Sequence, residues 1–87
     1  MRILLVDDEQ EICLLLNALL MRYGANTVMA HSLEDAGTKL TERGPFDGVF
    51  LDVNLPDGKG YELIPAIRNN SDGVPVIVIS AMDQERS

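Results

Sequence analysis

The chain has 87 residues, 46% of them hydrophobic, with 7 Lys+Arg against 14 Asp+Glu and a formal charge of -7. That size and apolar content describe one small globular domain and exclude a disordered segment. The acidic balance excludes a nucleic-acid backbone or an anionic membrane as the natural partner, and the single cysteine, Cys13, excludes an internal disulfide.

The first apolar run, Ile3 to Asp7, reads as a buried strand. Asp7-Asp8-Glu9 interrupts it too early for a signal peptide. A helix is expected from Gln10 to Arg22, opened by Asp8 and Glu11 at capping-box spacing. Ile12, Leu15, Leu16 and Leu19 fall at i, i+3, i+4, i+7 and form its expected core stripe, which Leu14 and Leu20 widen. The apolar stretch Ile12 to Met21 is too short to span a bilayer, so a cytoplasmic location is expected. Gly24 suits a left-handed terminus. Asn26 to Ala30 is the second strand, and Ser32 with Asp35 opens a second helix that turns Leu33, Ala36 and Leu40 inward before Gly44-Pro45 ends it. The third strand, Gly48 to Asp52, leads into the turn-rich stretch Asn54 to Gly60. A third helix follows at about Tyr61 to Asn69, with Pro65 tolerable in its first turn. The fourth strand is Val74 to Ile79, and Asp83 to Ser87 can begin a further helix.

Strands alternating with helix-length segments predict a doubly wound α/β fold with a parallel sheet and right-handed crossovers. Ligands of such sheets bind beyond the carboxyl ends of the strands. Three strands here end on polar groups there: Asp7-Asp8, Asp52 and Ser80. Carboxylates brought close together repel unless a cation lies among them, and oxygen donors of this kind suit Mg²⁺. Asp52 can be a ligand or a nucleophile that takes a phosphoryl group as an acyl phosphate. Ser80 offers a donor to a phosphoryl oxygen. A calcium loop over Asp52 to Leu63 fails, because Asp57 stands at the sixth position and Leu63 at the twelfth. An aspartyl phosphatase wants a second acid two residues after its nucleophile, where this chain has Asn54. Cys13 reads as a helix-packing residue, and His31 and Lys59 as surface residues.

The stretches Leu4-Leu5-Val6-Asp7-Asp8-Glu9, Leu51-Asp52-Val53-Asn54-Leu55-Pro56, Gly60, and Val76-Ile77-Val78-Ile79-Ser80-Ala81 together resemble the receiver domain of bacterial two-component response regulators. The resemblance runs in register along the whole chain. It implies a flavodoxin-like sheet with strand order 2-1-3-4 and a regulatory phosphoacceptor, not an enzyme. It also implies Asp52 as phosphoacceptor and Ser80 as switch hydroxyl. Mg²⁺ would be held by Asp7, Asp8, Asp52 and the backbone carbonyl of Asn54, and a sensor histidine kinase would be the phosphoryl donor.

The family also carries a phosphate-binding lysine and an aromatic residue on a fifth strand, which would fall after Ser87. Lys39 and Lys59 do not match that lysine by position. Residues 1–87 therefore read as a receiver domain lacking most of its fourth helix, its fifth strand and its fifth helix, with no effector domain. Two functions follow as expectations. One is a signalling receiver phosphorylated at Asp52. The alternative is a non-signalling fragment that binds Mg²⁺ and self-associates, through the exposed fourth strand or by segment exchange.

Overall fold

The computed structural model describes residues 1–70 and 73–79. In chain order the elements are β1 (Arg2–Val6), α1 (Gln10–Met21), β2 (Asn26–Ala30), α2 (Leu33–Arg43), β3 (Gly48–Asp52), a small hairpin of β4 (Asn54–Leu55) and β5 (Gly58–Lys59), a 3-10 turn (Gly60–Leu63), α3 (Ile64–Asn70) and β6 (Val76–Ile79). The four long apolar runs pair in parallel in the order β2-β1-β3-β6, the expected order with β6 as the fourth strand. Register places Val6 beside both Ala30 and Leu51, and Asp52 beside Ile79, so the strands finish nearly level.

Alternation along the strands sorts the core into two layers. Leu4, Val6, Val49 and Leu51 point to one face, where Ala36 and Leu40 of α2, Leu63 of the turn and Ile67 of α3 cover them. Ile3 and Leu5 point to the other, where Leu16 and Leu20 of α1 pack with Ala25, Met29 and Phe50. Helices thus lie on both faces of an open parallel sheet, the flavodoxin-like arrangement.

Most local signals act as expected. Ser32 accepts the Asp35 N–H at 3.0 Å and caps α2. Gly24 takes φ +83° after α1. Pro65 is the second residue of α3, where its missing N–H costs no helical bond. The fourth strand begins at Val76 and not at Val74, because Pro75 has no N–H; its carbonyl accepts from Val49 N at 3.0 Å.

Three expectations change. The start of α1 is not a capping box on Asp8: its N-cap is Glu9, which makes no side-chain cap. The Asp7 carboxylate takes the Glu9 N–H instead, at 2.9 Å. The buried stripe of α1 is rotated by one residue, about 100° of helix. Cys13, Leu16, Asn17 and Leu20 turn toward the sheet, while Leu15 and Leu19 are 60% and 45% exposed. The reason is polar: the Cys13 thiol donates to the Asp7 carbonyl at 3.4 Å, and Thr27 Oγ1 donates to Asn17 Oδ1. Finally, the turn-rich stretch after β3 is an antiparallel hairpin, Asn54 opposite Lys59 and Leu55 opposite Gly58. The helix expected from Asp83 lies outside the described residues.

Candidate functional site: an acidic cluster at the strand ends

β1 and β3 are neighbours in the sheet, so the acids that follow them are neighbours too. The sheet's hydrogen bonding continues past the strand ends: Asp7 N donates to Ala30 O at 3.0 Å, and Val53 N to Ile79 O at 3.3 Å. Asp7 and Asp52 are thereby held on rigid backbone. The chain bends after Asp7, which brings Asp8 to the same side. One carboxylate oxygen from each of Asp7, Asp8 and Asp52 lies within 4.8 Å of the other two.

Burial grades the three acids. Asp7 is 3% exposed and is the one buried charged side chain among the described residues. Asp52 is half-buried and Asp8 is exposed. Burial, and then the charge of Asp7, push the Asp52 carboxyl up to about 6, although the Asn54 N–H, 3.4 Å from Asp52 Oδ1, pulls the other way. The same surroundings act on Cys13. Burial first, and then Asp7, Asp8 and Asp52, raise its thiol to about 11, so it is inert as a nucleophile at neutral pH.

The fit to a hard divalent cation follows from the donor set. Three carboxylates supply oxygen only, one is buried, and their mutual repulsion is what a cation relieves. The backbone around Asp52 is also shaped closely. Gly60 N donates to Val53 O at 2.7 Å, closing the base of the hairpin. A Cβ on Gly60 would stand 1.8 Å from the Asp52 carbonyl oxygen, so only glycine lets the chain return this close.

Of the sequence-predicted site residues, the fold brings together Asp7, Asp8 and Asp52 and sets Asn54 at the base of the hairpin. Ser80 lies outside the described residues. Lys59, read as a surface residue, is exposed but reaches back: its Nζ donates to Asn54 Oδ1 at 2.6 Å. Lys39 is engaged elsewhere, donating to Met29 O at 3.2 Å and to Asp35 Oδ1 at 3.0 Å. His31 is exposed, as read, yet its Nδ1 lies 2.9 Å from the Asp7 carbonyl oxygen and donates to it. Asp57 lies in the turn, and its carboxylate accepts two main-chain N–H groups at the start of α2. The turn composition around it carried no signal for so distant a partner.

A parallel sheet with helices on both faces and an acidic cluster beyond two central strands defines a doubly wound α/β domain with its candidate site at the carboxyl edge of the sheet. The model of the response regulator receiver domain family matches residues 3–87, and the chain belongs to that family. It is 36% identical over 87 residues to the swarming motility regulation protein RssB of Serratia marcescens, a match that spans all of this chain and 39% of RssB. Among solved structures, the receiver domain from hybrid histidine kinase CckA superposes with a TM-score of 0.87 at 29% identity, covering 97% of this chain and 79% of that one. A two-component response regulator from Clostridium difficile gives 0.85 at 27% identity, covering 98% and 69%. The chain thus spans well under half the length of RssB. No helix among the described residues is long and apolar enough to cross a membrane.

Proposed function

We propose that this receiver domain accepts a phosphoryl group on the Asp52 carboxylate from a phosphohistidine of a sensor kinase. The observation that carries the reading is the convergence of Asp7, Asp8 and Asp52 within 4.8 Å beyond the carboxyl ends of β1 and β3. An Asp52 oxygen attacks phosphorus, the phosphorus–nitrogen bond breaks, and the imidazole leaves with the bonding pair and takes up a proton. The attacking group must be ionised, and with its carboxyl near 6 Asp52 is largely so at neutral pH.

Asp7, Asp8, Asp52 and the Asn54 backbone carbonyl are the proposed ligands of Mg²⁺. Held by these groups, Mg²⁺ would offset the charge of the carboxylates and of the phosphoryl oxygens. The proposed switch hydroxyl is Ser80. In this reading residues 1–87 act as the phosphoacceptor unit, located in the cytoplasm, and the output belongs to partners. The domain is regulatory and turns over no substrate of its own. Self-association through β6 is a further part of the proposal, supported by the exposure of Ile77 and Val78 on that outer strand.

Incubation with acetyl phosphate and Mg²⁺, followed by intact mass, tests the reading. The expected result is a single added phosphoryl mass that is lost on chelation and in Asp52→Asn. A chain that gains no such mass refutes phosphotransfer and leaves the non-signalling alternative. Sedimentation at micromolar concentration tests association: a strictly monomeric mass refutes it.

A further inference from the structure

Asp57 sits at the tip of the β4–β5 hairpin, far in sequence from α2. Its Oδ1 accepts the Leu33 N–H at 2.8 Å and its Oδ2 the Glu34 N–H at 3.0 Å. These are two of the donors that a helix leaves unpaired at its start. Ser32 satisfies a third, from Asp35. The first turn of α2 therefore has two caps: a local one from Ser32, and a remote one from the segment that follows Asp52. The two N–H groups hold the exposed Asp57 carboxyl below the usual carboxylate range.

A second contact supports the same junction. Gly58 has φ +151°, and a Cβ there would stand 2.6 Å from Leu33 Cδ1. The hairpin thus lies directly on the first residue of α2. At its other end the hairpin closes on Asp52, through Gly60 N to Val53 O and Asn54 N to Asp52 Oδ1. Tip and base belong to one short segment, Val53 to Gly60, so what holds the tip constrains the base.

We infer that Asp57 is a positioning residue that clamps the post-Asp52 hairpin to α2 and so fixes Asn54 and the backbone beside the acidic cluster. For its effect on the cation, the inference rests on the reading of Asp7, Asp8, Asp52 and Asn54 as the Mg²⁺ site. An exposed side chain at a turn would otherwise be dispensable. Here its two bonds hold the tip, while Leu55, buried in the core, is the hairpin's apolar anchor.

The test compares Asp57→Ala, Asp57→Asn and Ser32→Ala in the same chain. Ser32→Ala removes a cap from the same helix turn without touching the hairpin, so it controls for simple loss of helix stability. The first readout is amide hydrogen exchange at Gly60, without metal. Asp57→Ala is expected to speed it by about tenfold or more, with Ser32→Ala unchanged and Asp57→Asn between, because an amide keeps one acceptor. The second readout is Mg²⁺ affinity by calorimetry, expected to weaken about tenfold in Asp57→Ala alone. Unchanged protection of Gly60 in Asp57→Ala, or equal effects of Asp57→Ala and Ser32→Ala, overturns the clamp. Lost protection with unaltered Mg²⁺ affinity overturns its role at the site. A parent chain that takes up no Mg²⁺ refutes the metal reading, and the Gly60 exchange then decides the clamp by itself.

Discussion

The two faces of the sheet are built to different standards. The face under α2 and α3 holds the larger buried set: Leu4, Val6, Val49 and Leu51 lie beneath Ala36, Leu40, Leu63 and Ile67, and only its outer edge, at Val78 of β6, is open. The face under α1 has a smaller buried set, Ile3, Leu5 and Ala25, with Leu16, Leu20, Met29 and Phe50 only partly covered. Leu14, Leu15 and Leu19 of α1 and Ile77 of β6 remain exposed. The helices explain the difference. Among the described residues α1 alone lies on one face, whereas α2, α3 and the turn share the other. Stability should therefore reside mainly on the α2/α3 face. The acidic cluster lies at the ends of strands that both layers hold.

The largest expected effect tests the more deeply buried face. Leu51→Ala should cost about 2–5 kcal/mol in urea unfolding, since a fully buried side chain leaves a cavity. Leu16→Ala, on the partly covered face, should cost about 1–2 kcal/mol, and Leu15→Ala, on the outward side of α1, should stay within about 0.5 kcal/mol. Equal losses at Leu51 and Leu15 would break the comparison.

The next effect lies between the layers and depends on pH. Folding raises the Asp52 carboxyl from 3.8 to about 6, so the folded chain holds that proton more tightly than the unfolded one. Its contribution is complete below about pH 4 and is lost as pH rises through about 6. Asp52→Asn removes the loss. We expect it to stabilise the metal-free chain by about 1 kcal/mol near pH 7.5, the full linkage being reduced by solvent screening, and to change little near pH 4. Thermal melts at the two pH values check this; a difference that does not vary with pH would contradict it. Added Mg²⁺ should raise the melting temperature of the parent more than that of Asp52→Asn.

The smallest effect sharpens the contrast from the outer side of α2. Gly37 lies mid-helix with nothing within 4 Å of where a Cβ would stand. Gly37→Ala should stabilise the chain by about 0.5–1 kcal/mol in the same urea assay, through helix propensity alone. On the weaker face, Leu15→Glu with Leu19→Glu should leave both stability and any self-association seen in sedimentation unaltered, because the proposed contact is on β6; lowered association would move the contact to α1.

Much of this architecture was legible in the sequence, because the information is local. Apolar runs bounded by turn residues mark strands, the Ser32–Asp35 pair marks a helix start, and acids directly after strands must lie at the carboxyl edge of a parallel sheet. The strand order came from the resemblance to receiver domains, since local pattern cannot order strands. The face of α1 was misjudged by one position. The leucines at Leu15 and Leu19 outweighed Cys13 and Asn17 in any hydropathy count, yet the thiol and the amide have partners on the sheet side and the leucines do not.

The sequence by itself determined the elements, their periodicity and the types of donor at the strand ends. Those follow from side-chain chemistry within a few residues. Only the tertiary structure decided that Asp7 is buried while Asp8 is exposed, that Asp52 holds its proton up to about 6, and that Asp57 caps a helix 23 and 24 residues away. Burial, field and remote capping depend on what the fold places nearby, and the strand that carries Asp52 meets Asp7 only once the sheet has formed.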